Sequence, residues 1–330
     1  ISIQGPDSTE LLNRIYTNPF AKLPIGKTRY GIMLRDDGLV LDDGTSWRLS
    51  ENEYFMTTST AQAAKVMAWI EELLQTRWID LKVHITTVSE EWAAVSVAGP
   101  KSREVLYGCV EDKKVIENEN LPFMGLVQTK LKNGVPCRIV RISFSGEMAF
   151  EVYAPSNYAN HMMDVLWLNA QKHDGCLYGL EALGALRIEK GHVTGAELDG
   201  RVTIEDAGLG KMASTKKSYI GSAMRKRGVL NDPNRQTLVG IFPKDKKQVF
   251  DAGTIICNKN EVKGFGIGRI TSVTHSPELG HWIGLGFIEG GYKKWDNINV
   301  IGSDPVRKKN IELEIVSPHM VDPEGKRMYV

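Results

Sequence analysis

The chain has 330 residues, enough for two or three domains with sizeable cores, and its 42% hydrophobic and 25% charged residues are ordinary for a soluble globular protein. A net charge of +1 with no long basic run argues against nucleic acid or an anionic membrane surface as a partner, and no apolar run reaches the roughly 18–20 residues that span a bilayer. The four cysteines, Cys109, Cys137, Cys176 and Cys257, and the seven histidines form no CxxC, HxH or HExxH pattern. No metal site is readable, and the thiols are expected to be buried in a reducing compartment, which places the protein in the cytoplasm.

Ile1–Gln4 reads as a strand that starts without an initiator Met or signal peptide, so the chain is read as a fragment or as the ordered part of something longer. Gly5-Pro6 breaks the strand. Asp7-Ser8-Thr9 then opens a helix carrying Leu11, Leu12 and Ile15, which Asn18-Pro19 ends.

Thr28–Thr45 reads as a β-hairpin, because Asp36-Asp37-Gly38 lies between two apolar runs and a tight turn needs a positive φ that Gly accepts. Asp37-Gly38 as the loop sets Asp43 opposite Ile32; Asp36-Asp37 as the loop sets it opposite Tyr30. Successive strand side chains alternate faces, so one of Asp42 and Asp43 turns inward as a candidate acid or base beside Tyr30. The alternative is a second turn at Asp43-Gly44, with both carboxylates in water.

Trp47–Leu49 and Tyr54–Thr58 read as a strand pair. Ser59–Thr76 reads as an amphipathic helix with Ala63, Val66, Met67, Ile70, Leu73 and Leu74 on one face. Leu81–Val88 and Trp92–Val97 are expected strands, followed at Gly99-Pro100 by a short helix, Arg103–Tyr107. Strand, Gly-Pro and helix thus occur twice, at Ile3–Ser8 and Val97–Ser102, which suggests two related α+β halves. Asn133-Gly134 turns a second hairpin between Val127–Leu131 and Pro136–Ser143. Residues 143–155, SFSGEMAFEVYAP, read as strand, Gly turn and strand, with Glu147 and Glu151 on one face. A glutamate among apolar strand residues is expensive to bury without a partner. Glu151 is therefore either a polar anchor for a ligand's donors or part of an exposed edge.

Helices are expected at Asn160–Lys172, with Met162, Met163, Leu166 and Trp167 inward, and at Leu180–Lys190, whose Ala and Gly allow close approach and whose Arg187 and Glu189 stand out as long polar groups. Lys211–Asn234 reads as a polar, basic connector with a short helix. Lys216-Lys217 and Arg225-Lys226-Arg227 there form either a solvated face or a contact for an anionic ligand tail. From Gln236 the chain reads as short strands with Gly turns, at Leu238–Phe242, Thr254–Cys257, Gly266–Ser272, Gly284–Phe287, Ile298–Ile301 and Ile311–Ile315. Such spacing argues for a small β-barrel. The stretch 264–271, GFGIGRIT, has no Walker Lys-Ser/Thr and opens no helix, so it reads as a barrel strand and not a phosphate loop.

Taken together, IQGPDSTELLNRI, RYGIMLRDDGLVLDDG, VAGPKSREVL, SFSGEMAFEVY and GLEALGALRIEKGH resemble the aminomethyltransferase family, the T-protein of the glycine cleavage system and its relatives. Within it, EALGALRIEKGHVTGAELDG and TIEDAGLGKMASTKKSYIG most resemble the folate-binding C-terminal part of heterotetrameric sarcosine oxidase alpha subunits. The resemblance implies an α+β, three-domain cloverleaf with a folate-binding region at 1–230, built of two interleaved α+β subdomains, and a C-terminal β-barrel at 236–330. It also implies tetrahydrofolate in a central channel: Asp43 beside its reactive nitrogens, Tyr30 lining the channel, and Glu151 on the amino group and ring NH of the pterin.

Where T-proteins have a folate-contacting arginine and a tyrosine, this chain has Leu183 and Phe144, which favours the oxidase-linked branch. His192 replaces the cysteine of the KGCYxGQE motif of a folate-binding iron–sulfur assembly helper, which disfavours that role. The segment that usually precedes this point in the family is expected to be missing, and part of the site with it. The implied activity is capture of the methyl-derived carbon of an oxidised methylamine such as sarcosine, giving 5,10-methylenetetrahydrofolate. No flavin fingerprint is present, so FAD or FMN is expected only on a partner flavoprotein oxidase chain or a missing segment. A stand-alone folate-dependent demethylase or aminomethyltransferase, and a non-catalytic folate-binding module, are the alternatives.

Overall fold

The structure, a computed structural model, describes residues 1–259, 266–298 and 300–330. These form two compact units. The first comprises Ile1–Met33, Asp42–Tyr178 and Gly325–Val330; the second comprises Leu34–Leu41 and Gly179–Glu324.

In the first unit, β1 (Ser2–Gln4) leads into α1 (Ser8–Ile15), β2 (Thr28–Leu34), β3 (Val40–Ser50), β4 (Glu53–Met56), α2 (Ala63–Thr76) and β5 (His84–Thr86), and the strands form one sheet in the order β2-β3-β4-β1-β5. A second sheet, β6-β9-β8-β7, comes from β6 (Trp92–Ala98), β7 (Leu126–Lys130), β8 (Pro136–Val140) and β9 (Ala149–Pro155). The helices α3 (Ser102–Cys109) and α4 (Ala159–Gln171) close its core, where Val105, Leu106, Met162 and Leu166 meet Ile139, Phe150 and Val152. The repeated Gly-Pro break has one geometry in both places. Gly5 and Gly99 take φ of 135° and 121°, and each accepts the backbone N–H of the serine that starts the helix, Ser8 and Ser102. An aromatic cluster of Trp47, Phe55, Trp92 and Tyr153 joins side chains of the two sheets.

The second unit holds α5 (Leu180–Lys190) and six strands: β10 (Gln236–Pro243), β11 (Ile255–Asn258), β12 (Gly268–Ser276), β13 (His281–Glu289), β14 (Val300–Asp304) and β15 (Lys309–Val316). They close a barrel in the order β10-β13-β12-β11-β14-β15. Closure removes the free strand edges that would otherwise invite further pairing. Val239, Ile241, Ile256, Ile270, Ile288 and Leu313 fill the barrel, while Leu285 and Phe287 of β13 face outward onto Ile188 of α5.

A buried polar network fastens α5 to the barrel. Arg187 donates to Glu197 at 2.8 Å and to Ser272 at 2.7 Å. Glu197 also accepts from the Thr194 N–H and from the hydroxyls of Thr271 and Ser272. Glu189 accepts from Ser276, and Lys190 pairs with Asp322.

Several expectations need correction. Residues 143–148 are not a strand, with bends at 144–148, so Glu147 shares no strand face with Glu151; it accepts instead from Arg327 at 2.9 Å. The start of α5 is exposed, and among the described residues nothing lies within 4 Å of where a Cβ on Gly184 would stand, so that glycine serves no close approach. Lys211–Asn234 holds three short 3₁₀ turns, and Arg225 is not solvated: it donates to Glu205 and Tyr219. Cys109, Cys137 and Cys257 are buried as expected, whereas Cys176 is exposed. The stretch 264–271 begins outside the described residues at Gly264 and Phe265; its later part enters β12. Asn299, within the expected strand Ile298–Ile301, also lies outside them.

Candidate functional site

The 28–45 segment is a hairpin whose connection is longer than either two-residue loop. The Arg35 N–H donates to the Leu39 carbonyl at 2.8 Å, leaving Asp36, Asp37 and Gly38 between them, with Gly38 at φ 88°. Past this turn β3 runs unbroken through Gly44, so Asp43-Gly44 is not a turn and neither carboxylate is left in water. Gly44 sits where the backbone is closely approached: a Cβ there would stand 2.1 Å from the Thr57 carbonyl oxygen.

The two aspartates take different partners. Asp42 is 3% exposed and accepts from the N–H of Ser59, at 3.1 Å, and from its hydroxyl. Asp43 is half-buried and accepts the Tyr30 hydroxyl at 2.8 Å. Both are withdrawn from solvent, where the expectation is one inward and one outward, and Ser59 donates twice to the more buried one, Asp42. Burial is the main reason that the Asp43 carboxyl is pushed up to about 6; the neighbouring Asp42 adds to the rise and the Tyr30 hydroxyl opposes it. Burial and the Asp43 charge hold the Tyr30 phenol well above its ordinary value, so Tyr30 is the donor of this pair. A carboxylate held near 6 can take or give a proton close to neutral pH.

Glu151 sits on β9, with its Cα opposite Ser96 of β6 and Val140 of β8. Its carboxylate accepts the Tyr153 hydroxyl at 2.7 Å, and burial raises its pKa. Among the described residues no other hydrogen bond or ion pair reaches it. The Tyr153 bond is made to Oε2, and Oε1 has no hydrogen-bond partner among the described residues. The link to the first pair runs through β3. Trp47, four residues beyond Asp43, packs edge-on against Tyr153 with ring centroids 4.7 Å apart.

Tyr30 and Asp43 are thus in direct contact, and Glu151 stands apart from them on the second sheet of the same unit. Ser59 and Tyr153 were not singled out from sequence. The Glu-x-Tyr spacing on a strand was the available signal for Tyr153, since residues two apart share a face. Ser59 read as a helix start, and nothing local tied it to a carboxylate 17 residues earlier.

The family model described as the GCVT N-terminal domain matches residues 1–217. The chain belongs to the aminomethyltransferase family. In this family's barrel model, the glycine cleavage T-protein C-terminal barrel domain, residues 236–322 match. A sarcosine oxidase subunit alpha from Rhizobium meliloti (strain 1021) is 40% identical over 336 residues, covering 100% of this chain and 34% of that protein. An aminomethyltransferase from Listeria monocytogenes serotype 4a is 30% identical over 319 residues, covering 96% of this chain and 82% of that protein. The chain therefore spans about a third of the length of the sarcosine oxidase subunits it matches. The crystal structure of the glycine cleavage system aminomethyltransferase T from Bartonella henselae shares the fold. Its TM-score is 0.82 and its identity 22%, over 100% of this chain and 84% of that one. In this aminomethyltransferase-family chain no described helix is long and apolar enough to cross a membrane, and no metal-binding cluster occurs among the described residues.

Proposed function

We propose that this chain holds tetrahydrofolate for one-carbon transfer, with residues 1–230 as the folate-binding region, and that it works within a sarcosine oxidase-like assembly. Family membership supports the folate-dependent transferase part of this reading. The likeness to sarcosine oxidase alpha subunits supports the oxidase-linked part. The single observation that carries it is the Tyr30–Asp43 pair, a half-buried carboxylate pushed up to about 6 and held by one phenol.

The residues present fit the group. The Glu151 carboxylate has one described donor and an Oε1 without a described partner, which suits the adjacent N–H donors of a pterin. Bound tetrahydrofolate would supply the nitrogen that takes up the carbon of an oxidised methylamine, giving 5,10-methylenetetrahydrofolate. On the protein's side, Glu151 orients the ligand. Asp43 holds or accepts the proton of the reacting amine, and Tyr30 fixes the Asp43 rotamer and tempers its pKa. The flavin would reside on a partner flavoprotein chain or segment. The match covering 82% of an aminomethyltransferase supports a second reading, transfer without an oxidase partner.

Calorimetric titration of the chain with tetrahydrofolate, beside Glu151→Ala and Asp43→Asn, tests the reading. Binding should disappear in Glu151→Ala. It should persist in Asp43→Asn while transfer slows by about 10²–10⁴-fold, the usual worth of a general base. Unchanged transfer in Asp43→Asn sinks its assigned role. Activity of the isolated chain on a methylamine or onium donor would select the second reading.

A further inference from the structure

Among the described buried polar systems outside the roles assigned above are the Arg187–Glu197 network of the second unit and the Tyr153 hydroxyl of the first. The first is saturated. Arg187, Thr194, Thr271 and Ser272 satisfy Glu197 completely, leaving nothing to bind. The second is not, because its acceptor is the Glu151 carboxylate, whose Oε1 has no hydrogen-bond partner among the described residues.

We infer that Tyr153 is a positioning residue, which fixes the Glu151 carboxylate in one orientation as an acceptor for the N–H donors of a ligand; this rests on the folate-site reading above. Four observations support it. Glu151 and Tyr153 are two apart on β9 and so share a face. Their 2.7 Å O–H···O contact has the length of a charge-assisted hydrogen bond.

The ring cannot swing away. Trp47 meets it edge-on at 4.7 Å and Phe55 at 6.0 Å. The Arg138 guanidinium braces the same cluster, lying 4.1 Å from the Trp92 ring centroid and 5.2 Å from that of Phe55. Finally, Tyr153 is the sole described donor to Glu151.

The geometry explains why a hydroxyl is needed at 153. Burial disfavours the charged form of Glu151, and one well-placed donor opposes it. No hydrogen bond to Glu151 comes from the other described polar and charged groups of the neighbouring strands. Arg138 on β8 lies against the aromatic faces, with Glu53 of β4 as its counter-charge, and its Nε has no described hydrogen-bond partner. Ser96 on β6 accepts from the Tyr178 hydroxyl. Without the Tyr153 hydroxyl no described hydrogen bond opposes the effect of burial on Glu151. A protonated carboxyl presents one acceptor fewer to a ligand that offers only donors.

The test uses Tyr153→Phe, which keeps the packed ring and removes one oxygen. In the unliganded chain, the ¹³C-labelled Glu151 carboxyl should titrate at least about one pH unit higher in Tyr153→Phe than in the parent, with Glu151→Gln assigning the signal. Tetrahydrofolate should bind Tyr153→Phe at least about tenfold more weakly than the parent. The gap should widen as pH falls towards 5.

An unshifted Glu151 titration overturns the inference whatever folate does. Unchanged folate affinity in Tyr153→Phe, with binding lost in Glu151→Ala, overturns it also. A Glu151→Ala variant that binds as the parent does would instead overturn the folate-site reading on which the positioning role rests.

Discussion

Replacing Asp43 with Asn should make the protein more stable and less active. The Asp43 carboxyl is pushed up from 3.8 to about 6 in the folded chain. An acid whose folded pKa exceeds its unfolded one stabilises the fold only while protonated. That contribution is whole below pH 3.8 and is lost as pH rises through 6. Over roughly two pH units, at about 1.4 kcal/mol each, ionised Asp43 costs the fold about 3 kcal/mol at pH 8. Asn has nearly the same shape, carries no charge and can still accept the Tyr30 hydroxyl, but its amide group needs a partner of its own. A net gain of about 1–3 kcal/mol is therefore expected at pH 8, shrinking to about half a kcal/mol or less near pH 4. Urea unfolding of parent and variant at the two pH values, followed by tryptophan fluorescence from buried Trp47, measures it. A variant no more stable than the parent at pH 8, or a difference independent of pH, would refute the argument that burial of a charge sets this carboxyl's properties.

Gly44→Ala should be strongly destabilising. Its Cβ would stand 2.1 Å from a backbone oxygen of Thr57, so strands must move apart, at about 3 kcal/mol or more; urea midpoints and soluble yield would show it. Arg187→Met leaves Glu197 buried with no cation and should cost about 3–5 kcal/mol. The double variant Arg187→Met, Glu197→Gln should recover part of that loss, and denaturation of all four members of the cycle measures the coupling.

The parts of the fold readable in the sequence were those that local chemistry decides. Gly38 between apolar runs announced its hairpin, Gly134 another, and the spacing of Val66, Ile70 and Leu73 a helix face. The same physics exposes Tyr30 and Asp43 as a pair, since both lie on one short hairpin and meet across it. What escaped depended on distant contacts. Glu147 left its expected strand for Arg327, 180 residues away. Arg225 read as solvent-facing because Glu205 lies 20 residues upstream. The length of the 36–38 connection could not be chosen from composition, because two- and three-residue loops both accept Asp-Asp-Gly. Ser59 shows the limit most plainly: its backbone signals a helix start, and only the folded chain reveals that it also tethers Asp42.

The first unit contains residues 325–330. Arg141, almost wholly buried, donates to the carbonyls of Met328 and Val330, and Phe123 packs edge-on against Tyr329. The contact between Arg141 and Val330 spans 189 positions of sequence. During synthesis the first sheets and their helices emerge long before the segment that completes them. Until then the Arg141 guanidinium lacks two of its acceptors. The barrel strands, by contrast, lie close together in the chain and can pair as they appear. The order in which the units are finished should therefore be the reverse of the order in which they are begun, with closure around Arg141 a late step in refolding.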